Sequence, residues 1–486
     1  MPAPGLEVHR ARPQHGAGRR RSFDPQCRVR RGAGAPRLIV QKFGGTSVED
    51  GPALERLCAI VSRARDEHPL IVVSAMGKTT NRLVEALEIA VGGDEAAAVD
   101  RIARLRRDTL ATVDRFFGQG AQRVGQQIGL NFTELDRMAR AVSALRSVPA
   151  ASRDQFLAHG ELVSSVVAAE ALALYGLPAV RLDARDVMVT DERFGRAQPD
   201  FSETAARARA RLAPLCDGGR IPVLGGYIGA SREGGQTTTL GRGGSDYSAA
   251  ILGAALDASV VEIWTDVDGM MTADPRIVAE ARVIDRMSAD EASELAYFGA
   301  RVLHPLTLEP AMEKGIPVRV RNSRKPELTG TEIHATAPSG ASHVRSIACK
   351  RGIVTVDVTT SRMLMASGFL QRLFEVFARH EASVDMVTTS EISVSVTLDD
   401  ASRLSAIRRD LEGLGHVDVA RDRAMICLVG QDLKFTPGIA ARIFKAVDRI
   451  NILMISQGAS RRNVSFVVEE KDVEEAVRRL HREFFG

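Results

Sequence analysis

The feature that most limits how this chain can fold is an internal repeat near its C-terminal end. The segment that begins at Gly368 matches the one that begins at Gly438, and the same offset of 70 residues pairs Ser390 with Ser460. Each copy is typical of strand, helix, strand, strand, helix, with apolar residues at helical spacing. The repeat predicts two βαββαβ modules that pack against each other. Neither copy offers an obvious nucleophile or base, which favours regulation over catalysis.

Upstream of the repeat, short apolar segments alternate with helical ones. Strands are predicted at 37–43, 70–74, 179–183, 222–226 and 260–265, and helices at 52–65, 160–174 and 246–256, with a mainly helical stretch before residue 145. Apolar strands that alternate with helices indicate an α/β domain with a largely parallel sheet, buried on both faces. Pro, Gly, Thr and Ser accumulate near 323–342, which indicates a linker.

The positive charge of the chain is concentrated at its N-terminus. Residues 1–37 hold nine arginines and two acids, a net charge of +7, whereas the whole chain of 486 residues carries +4. The remainder is therefore slightly acidic, which excludes the basic footprint of a nucleic-acid-binding domain. The N-terminal segment lacks the apolar stretch of a secretory signal and is too polar to bury a core. Residues 1–36 are predicted to be a disordered basic tail, of which residues 1–35 are dispensable; weak contact with an anionic surface and a targeting role are the alternatives.

Composition excludes two further classes of protein. Hydrophobic residues make up 44%, enough for a sizeable core, but no stretch reaches the roughly 18 uninterrupted apolar residues of a membrane span. The five cysteines lie far apart, without a Cys-x-x-Cys pair: Cys27, Cys58, Cys216, Cys349 and Cys427. That pattern argues against a disulfide framework or a zinc site and for the reducing cytoplasm.

Two glycine-rich segments carry side chains suited to phosphate transfer. Lys42 lies at the end of the first predicted strand and precedes Gly44 and Gly45, where backbone N–H groups and the next helix can approach phosphate oxygens. A lysine at such a turn can bind a transferring phosphoryl group, although it can also be a solvent-exposed side chain without a role in catalysis. In residues 237–246, several glycines surround Arg242, which can fork onto a carboxylate.

Two acids near these segments each have two interpretations. Asp246, together with Ser245, either caps the helix that follows or faces the reaction centre. Glu161 belongs to a His-Gly-Glu segment that is predicted to open a helix, so it either acts in the site or merely interacts with the helix dipole.

A third segment, 264–276, follows the strand predicted at 260–265. Its Asp266 and Asp274 lie at the edge where open α/β sheets bind ligands, although they can equally cap turns. The sequence contains no Gly-x4-Gly-Lys-Ser/Thr loop, no Gly-x-Gly-x-x-Gly after the first strand and no protein-kinase signature. Phosphate chemistry in this chain therefore requires another fold.

Taken in order along the chain, these motifs resemble aspartate kinase. The segments that carry the resemblance are 42–47, 159–161, 193–196, 237–246, 265–276 and 298–305. The resemblance implies an α/β fold: an amino-acid-kinase three-layer αβα sandwich at 37–335, a linker at 336–343, and two ferredoxin-like (βαββαβ) ACT domains at 344–486. In such a pair the first ACT unit, 353–415, would be nested within the second, 344–352 plus 416–486.

The resemblance also implies the residues of the active site. Lys42 and Asp246 would be catalytic, with the lysine neutralising the phosphoryl group in transfer and the acid orienting the lysine. The L-aspartate substrate would bind through Ser74, Thr80, Glu161, Arg242, Gly243, Gly244 and Ser245. Of these, Arg242 would hold its α-carboxylate and Glu161 its α-ammonium. The β-carboxylate nucleophile is already ionised at pH 7, so no general base is required and catalysis can rest on positioning.

The phosphoryl donor implied by the resemblance is ATP, with Mg²⁺ bridging its phosphates and no metal ligand assigned to the protein. The expected nucleotide-binding residues are Gly44, Gly45, Thr46, Ser47, Thr265, Asp266, Met271, Arg276 and Arg301. Met271 stands where the family usually has tyrosine, and Arg301 where it usually has lysine. Because an apolar surface and a positive charge are kept, ATP binding is expected to survive.

The ACT region most resembles the lysine-sensitive bacterial subgroup, which implies feedback inhibition by lysine. The expected effector residues are Met363, Gly368, Phe369, Leu370, Val384, Asp385, Thr389, Ser390 and Glu391. Asp385 and Glu391 flank a predicted strand and are expected to receive a cationic amino acid. Met365 and Ala366 replace the usual histidine and serine, which should weaken lysine binding without abolishing it. Homodimers or tetramers through the ACT domains are also expected, and a role as dimer interface alone stays open.

The leading hypothesis is an ATP-dependent cytoplasmic kinase that forms 4-phospho-L-aspartate, the first step towards lysine, threonine and methionine, without nucleic-acid or membrane partners. One alternative is another amino-acid kinase, acting on glutamate or a derivative, which the ACT pair and the expected clamp for a free amino acid disfavour. The other is a catalytically decayed ACT sensor, which the intact Lys42, Glu161, Arg242 and Asp246 disfavour. One assay with aspartate and glutamate separates the three.

Overall fold

The computed structural model describes residues 38–298, 307–336, 343–361 and 367–486. The predicted basic tail, Arg301, Met363, Met365 and Ala366 lie outside the described residues. The described chain comprises an N-terminal α/β domain, which ends near residue 334, and a C-terminal sheet with its own helices, which begins at residue 344.

Strands and helices are numbered in chain order. The strands are β1 (Ile39–Phe43), β2 (Pro69–Val73), β3 (Ala179–Arg181), β4 (Val189–Thr190), β5 (Ile221–Gly225), β6 (Ile228–Ser231), β7 (Thr237–Thr239), β8 (Val260–Thr265), β9 (Arg286–Ser288), β10 (Val318–Asn322), β11 (Thr331–His334), β12 (Val344–Thr359), β13 (Val384–Thr389), β14 (Ser393–Leu398), β15 (His416–Gly430), β16 (Met454–Gln457) and β17 (Asn463–Glu469). The helices are α1 (Gly51–Arg63), α2 (Thr79–Val91), α3 (Glu95–Phe117), α4 (Ala121–Leu145), α5 (Ala150–Leu174), α6 (Phe201–Arg211), α7 (Ala213–Asp217), α8 (Gly244–Ala255), α9 (Ala289–Tyr297), α10 (Glu309–Glu313), α11 (Phe369–Arg379), α12 (Leu404–Glu412), α13 (Ile439–Ala446) and α14 (Val473–Phe485).

The N-terminal domain is built on an eight-stranded sheet in the order β3-β5-β2-β1-β8-β10-β11-β9. The strands from β3 to β10 in this order run parallel, β11 is antiparallel to β10, and β9 is parallel to β11. Parallel strands require crossover connections, and helices therefore cover the sheet. Because the strands are parallel, the carboxyl ends of β1, β2, β5 and β8 meet at one edge.

The core of this domain lies in two layers, one on each face of the sheet. In β2, Leu70 and Val72 belong to the apolar cluster that includes α6 and α8, whereas Ile71 and Val73 belong to the cluster that includes α1 to α5. A strand buried on both faces loses the usual alternation of polar and apolar residues, which is why this segment is apolar throughout. Helices, sheet and helices form the predicted three-layer αβα sandwich.

Helix α5 differs from its prediction in where it begins. It starts at Ala150, ten residues before the predicted start at 160, so Glu161 lies in its middle. The interpretation of Glu161 as a dipole partner in a first helical turn is therefore wrong. By length and composition alone α5 could cross a membrane, but 83% of its most apolar window is buried inside the domain, as in the core helix of a globular protein.

A small sheet of β4, β6 and β7 stands beside the main one. The first three residues of the glycine-rich segment 237–246 belong to strand β7 and are buried. Their hydroxyl groups bond within the domain: Thr237 accepts from Arg185 at 3.1 Å, and Thr238 lies 2.7 Å from the Thr190 hydroxyl. The hydroxyl groups of these threonines therefore stabilise the fold of the domain.

The C-terminal region forms one six-stranded sheet in the order β13-β14-β12-β15-β17-β16. The long central strands β12 and β15 pair along most of their length. Residues 354–359 of β12 pair with β14, and the apolar residues there pack with α11 and α12. Residues 344–350 pair only with 425–430 of β15, where the apolar residues pack with α13 and α14. One strand therefore serves both copies of the repeat.

The segment between the two regions contains a strand that was not predicted. β11 lies within the segment read as a linker and extends the main sheet. Its neighbour α9 contacts both copies of the repeat: the Tyr297 hydroxyl donates to Asp385 of β13, and Glu294 accepts from Ser460 and Asn463, each at 2.7 Å. Helix α9 is one contact between the C-terminal sheet and the N-terminal domain; a second lies at Thr272, whose carbonyl accepts from the Ile347 amide of β12 at 2.8 Å.

Candidate functional site

A cavity of about 530 Å³ opens at the carboxyl edge of the main sheet. It is lined by Lys42, Gly45, Ser74, Ala75, Gly77, Thr80, Glu161, Gly195, Tyr227, Gly241, Arg242, Gly243, Gly244, Ser245 and Asp246. Both residues predicted to be catalytic and all seven predicted to bind substrate are in this lining. Open α/β sheets bind ligands at this edge because it gathers the loops that follow parallel strands.

The centre of the cavity is an ion pair between groups that are distant in sequence. Lys42, near the end of β1, places its Nζ 2.6 Å from Oδ1 of Asp246 in the first turn of α8, and both side chains are about one-tenth exposed. Asp246 therefore faces the lysine, and the N-cap of α8 is Gly243, without a side-chain cap. A lysine held in this way presents a fixed positive charge to the cavity.

The glycine turn after Lys42 allows a close backbone approach. A Cβ on Gly45 would lie 2.7 Å from the carbonyl oxygen of Gly77 and 3.0 Å from that of Ala75. The Gly77 amide donates to the Gly45 carbonyl at 2.9 Å, so the loops after β1 and β2 are bonded directly. Only glycine fits this contact, which sets the distance between Lys42 and Ser74 across the cavity.

Glu161 is a buried carboxylate with one unsatisfied oxygen. Its Oε1 accepts from the Ala75 amide at 3.1 Å, whereas its Oε2 is buried without a hydrogen-bond partner among the described residues. Burial raises the pKa of Glu161 from 4.5 to about 8, and the Ala75 amide and the Lys42 charge oppose that rise. A buried acceptor that lacks a donor is energetically costly, so the site is built to receive a donor there.

Arg242 lines the same cavity and lies in the glycine turn before α8. Gly241 and Gly243 adopt φ of 77° and 71°, the left-handed conformation that glycine favours. The start of α8 directs backbone N–H groups towards the same space. The cavity therefore combines a buried acid with cationic and N–H groups, a combination that suits a ligand with both an ammonium and a carboxylate.

Sequence reasoning missed two residues of this region. Tyr227 lines the cavity with a φ of 67°, and its place among the glycines of 225–229 was a signal that could have identified it. Asp154, buried in α5, accepts hydrogen bonds from Gly195 and Thr239, the ends of two loops at the cavity. Its spacing of seven residues from Glu161, two helical turns on one face, was the available signal.

Several residues predicted to bind nucleotide lie outside the cavity lining. Gly44 is adjacent to the end of β8, since its amide donates to the Trp264 carbonyl at 2.9 Å, so Thr265 and Asp266 share the same sheet edge. Ser47 is buried, and its hydroxyl lies 2.8 Å from that of Ser323. Ser47 therefore stabilises the glycine turn through its side-chain hydrogen bond and does not face a ligand in this conformation.

The loop after β8 lies farther from the cavity. Met271 is partly buried, and its carbonyl accepts from Ser346 of β12 at 2.7 Å. Arg276 is largely exposed and pairs with Asp274 at 2.6 Å. Asp274 also accepts from the Arg276 backbone amide at 2.9 Å, so here the turn-capping interpretation describes the geometry.

Those predicted effector residues that the structure describes do not form one site within a single chain. Asp385 is the second residue of β13 and Glu391 follows its end, so the two acids are about 20 Å apart along an extended strand, more than one amino acid spans. Phe369 is buried in the apolar core of the first repeat copy and is not free to contact a ligand, whereas Leu370 beside it is exposed.

The Asp385 carboxylate already has an internal cation. Nζ of Lys350 lies 3.1 Å from Asp385, pairs with Asp399 as well, and stands over the Tyr297 ring. A ligand ammonium would therefore compete with Lys350 for this carboxylate. The other predicted effector residues occupy the edge of the sheet: Gly368 is the N-cap of α11, Val384 is half-buried, and Thr389 and Ser390 are exposed.

Comparison with known proteins finds related chains along almost the whole sequence. Residues 37–322 match the amino acid kinase family, and residues 356–409 and 426–484 match the ACT domain. The chain is 38% identical over 456 residues to lysine-sensitive aspartokinase 3 of Escherichia coli (strain K12), a match that covers 92% of this chain and 99% of that one. It is 34% identical over 461 residues to chloroplastic aspartokinase 1 of Arabidopsis thaliana, covering 92% and 80%.

Solved structures give the same relatives. The structure of E. coli aspartokinase III in complex with lysine and aspartate, in the T-state, matches with a TM-score of 0.82 at 37% identity. The structure of E. coli aspartokinase III with aspartate and ADP, in the R-state, matches with a TM-score of 0.78 at 38% identity. Each match covers 92% of this chain and 100% of the solved chain.

Proposed function

The chain belongs to the aspartokinase family, within the larger amino acid kinase family, and we propose from this membership that it transfers the γ-phosphoryl group of ATP to the β-carboxylate of L-aspartate. The product is 4-phospho-L-aspartate. The observation that carries the proposal is the unsatisfied Oε2 of Glu161 in a cavity that also holds Arg242 and the Lys42–Asp246 pair. A phosphorylated carboxylate would open the synthesis of lysine, threonine and methionine.

The substrate is bound by complementary charge at both ends of its α-carbon. Its α-ammonium donates to Oε2 of Glu161, and its α-carboxylate meets the guanidinium of Arg242. The β-carboxylate then lies near the hydroxyls of Ser74 and Thr80, close to Lys42. Support comes from the lining of the cavity, where these side chains surround one space, and from the E. coli structures that contain aspartate.

Phosphoryl transfer in this site needs positioning and charge, without a general base. The attacking β-carboxylate is ionised at pH 7, and Lys42 offsets the negative charge on the transferring group. Asp246 holds the lysine ammonium in place through the 2.6 Å ion pair. The glycine turns beside Lys42 and Arg242 supply N–H groups for phosphate oxygens. Thr265, Asp266, Met271 and Arg276 are assigned to the nucleotide as well, and Arg301, outside the described residues, keeps this assignment from the resemblance alone.

We assign Mg²⁺ to the nucleotide and not to a protein cage. Asp246, the acid of the lining nearest to the lysine, is already committed to Lys42, and Glu161 lies at the ammonium end. In the described part of the chain no three His, Cys, Asp or Glu side chains are grouped to hold a metal. When bound, Mg²⁺ would be held by phosphate oxygens and would reduce their negative charge.

The test is phosphoryl transfer with matched acceptors. The enzyme is incubated with Mg·ATP and either L-aspartate or L-glutamate, ADP is measured by a coupled assay, and the acyl phosphate is trapped with hydroxylamine. ADP and trapped product with aspartate, and at least a hundredfold less with glutamate, is the expected result. Preference for glutamate would support a different amino-acid kinase. Absence of transfer with both acceptors would support a non-catalytic sensor.

We also propose that lysine inhibits the enzyme through the ACT region. The similarity to a lysine-sensitive aspartokinase supports this, as does helix α9, whose Tyr297 and Glu294 contact both ACT units. Inhibition requires lysine to bind an inactive arrangement more tightly than the active one, because equal affinity shifts no equilibrium. The alternative, in which the ACT pair only joins subunits, predicts full activity at millimolar lysine.

Assembly and compartment complete the proposal. Homodimers or tetramers through the ACT domains are supported by apolar side chains exposed at the sheet edge, among them Val387 and Ile392, each at least 40% exposed. Light scattering of the full chain measures the oligomer directly. No disulfide joins the four described cysteines, Cys58, Cys216, Cys349 and Cys427, which supports a reducing cytoplasm.

A further inference from the structure

We infer that Asp154 is a positioning residue that joins the two loops covering the aspartate end of the cavity; this inference rests on the proposed function. Asp154 lies in the fifth position of α5 and is 1% exposed. It does not line the cavity, so its role would be exerted through the residues that it holds.

Three donors converge on this one carboxylate. Oδ2 accepts from the backbone amides of Gly195 and Thr239, each at 2.8 Å, and Oδ1 accepts from the Thr239 hydroxyl at 3.0 Å. Burial raises the pKa of Asp154 above its ordinary value, and these hydrogen bonds oppose that rise. Because all three partners donate, the ionised carboxylate fits the arrangement.

The two loops held by Asp154 carry different parts of the site. Gly195 belongs to the Arg193–Arg196 motif, which the active-site assignment left without a role, and it lines the cavity. Thr239 is the last residue of β7, three residues before Arg242. The loops also contact each other: the Ala197 amide donates to the Thr239 carbonyl at 2.9 Å. A Cβ on Gly241 would lie 3.1 Å from the Gly195 carbonyl.

The same helix supplies the opposite end of the substrate clamp. Asp154 and Glu161 are seven residues apart in α5, two turns along one face. One helix therefore carries the acid that meets the α-ammonium and the acid that fixes the loop bearing Arg242. The spacing between the two charged contacts of the substrate is set by α5, with Asp154 as the link to Arg242.

The inference predicts a loss that is specific to aspartate. In Asp154→Ala the Gly195 and Thr239 amides lose their acceptor, the loops separate, and KM for aspartate should rise at least tenfold while KM for ATP stays within twofold. Asp154→Asn keeps an oxygen for both amides and should restore KM to within about threefold of wild type. Thr239→Val removes only the hydroxyl contact and should raise KM for aspartate by a smaller factor.

The matched control is Glu291→Ala. Glu291 is a fully buried acid in α9 that accepts from the Ser288 amide at 2.8 Å and the Ser288 hydroxyl at 2.9 Å, away from the cavity. Its removal should lower Tm about as much as Asp154→Ala, with both KM values within twofold of wild type. Equal rises in the two KM values for Asp154→Ala, or a lower Tm with both KM values unchanged, would overturn the inference.

A binding measurement keeps this test independent of turnover. Calorimetric titration with L-aspartate should show at least tenfold weaker binding to Asp154→Ala than to the wild-type chain or Glu291→Ala. If Asp154→Ala is misfolded, aspartate binding is measured with the Thr239→Val and Asp154→Asn variants instead. A wild-type chain that binds aspartate without phosphorylating it refutes the proposed function and leaves this inference standing. An active wild type whose variants bind aspartate normally refutes this inference alone.

Discussion

The buried carboxyl of Glu161 leads to a prediction about protons. Its pKa is raised from 4.5 to about 8 by burial, so at pH 7 about nine-tenths of the ligand-free enzyme carries it protonated. A bound α-ammonium at Oε2 stabilises the ionised form and lowers the pKa again. Binding of aspartate at pH 7 should therefore release about 0.9 proton per site, and Glu161→Gln should abolish the release.

Isothermal titration calorimetry in two buffers of different ionisation enthalpy measures this release. The observed binding enthalpy, plotted against buffer ionisation enthalpy, has a slope equal to the number of protons exchanged. His159, the other titratable group of the segment, is an unsuitable source because burial lowers its pKa to about 4, so it is neutral at pH 7. A wild-type slope near zero, or an unchanged slope in Glu161→Gln, would refute the assignment of Glu161 to the ammonium.

The same pKa predicts how stability depends on pH. Below pH 4.5 Glu161 is protonated in the folded and the unfolded chain. Between pH 4.5 and 8 only the unfolded chain loses the proton, so the free energy of unfolding falls as pH rises. A shift from 4.5 to about 8 corresponds to an upper bound on the order of 5 kcal/mol at pH 8 and above. The ligand-free Glu161→Gln variant should gain Tm over wild type between pH 5 and pH 8.5; a pH-independent difference would contradict the burial argument.

Three further predictions concern the other charged groups. Lys42→Ala should lower kcat at least about a hundredfold, equivalent to about 2.7 kcal/mol, with KM for ATP little changed, because the charge acts mainly in the transition state; steady-state kinetics showing near wild-type turnover would remove Lys42 from the mechanism. Arg242→Ala should raise KM for aspartate at least tenfold and KM for ATP less; a larger effect on ATP would show that the clamp is misassigned. Millimolar lysine, but not threonine or methionine, should inhibit the initial rate, and Asp385→Ala should relieve that inhibition; inhibition that survives unchanged would exclude Asp385 as the lysine contact.

Local sequence was sufficient for five strands of the main sheet, β1, β2, β3, β5 and β8, and for the glycine turns beside the cavity. The apolar run at 70–74 and the glycine turn after Lys42 are dictated by burial on both faces and by backbone geometry, which act over a few residues. The family resemblance then identified Lys42, Glu161, Arg242 and Asp246, and all four line one cavity. The resemblance to lysine-sensitive aspartokinase and the αβα-plus-ACT fold are confirmed by the relatives.

Tertiary structure decided what depends on contacts between distant segments. Lys42 and Asp246 form an ion pair although 203 residues separate them, and this contact required the parallel order of the sheet. The start of α5 was predicted ten residues late because Asp154 and His159 make its first turns look polar, whereas in the fold both are buried and hydrogen-bonded. Whether a polar side chain is buried cannot be predicted from sequence until its hydrogen-bond partners are known.

The same reason explains the C-terminal region. The repeat predicted two βαββαβ units from sequence, but the pairing of Asp385 with Lys350 and Tyr297 joins three segments that no periodicity connects. Periodicity determines which face of a helix or strand is apolar. The sequence therefore predicted the helices, the strands and the repeated modules of this protein. The partners of each buried charge depend on which loops the sheet brings together, and only the tertiary structure decided those.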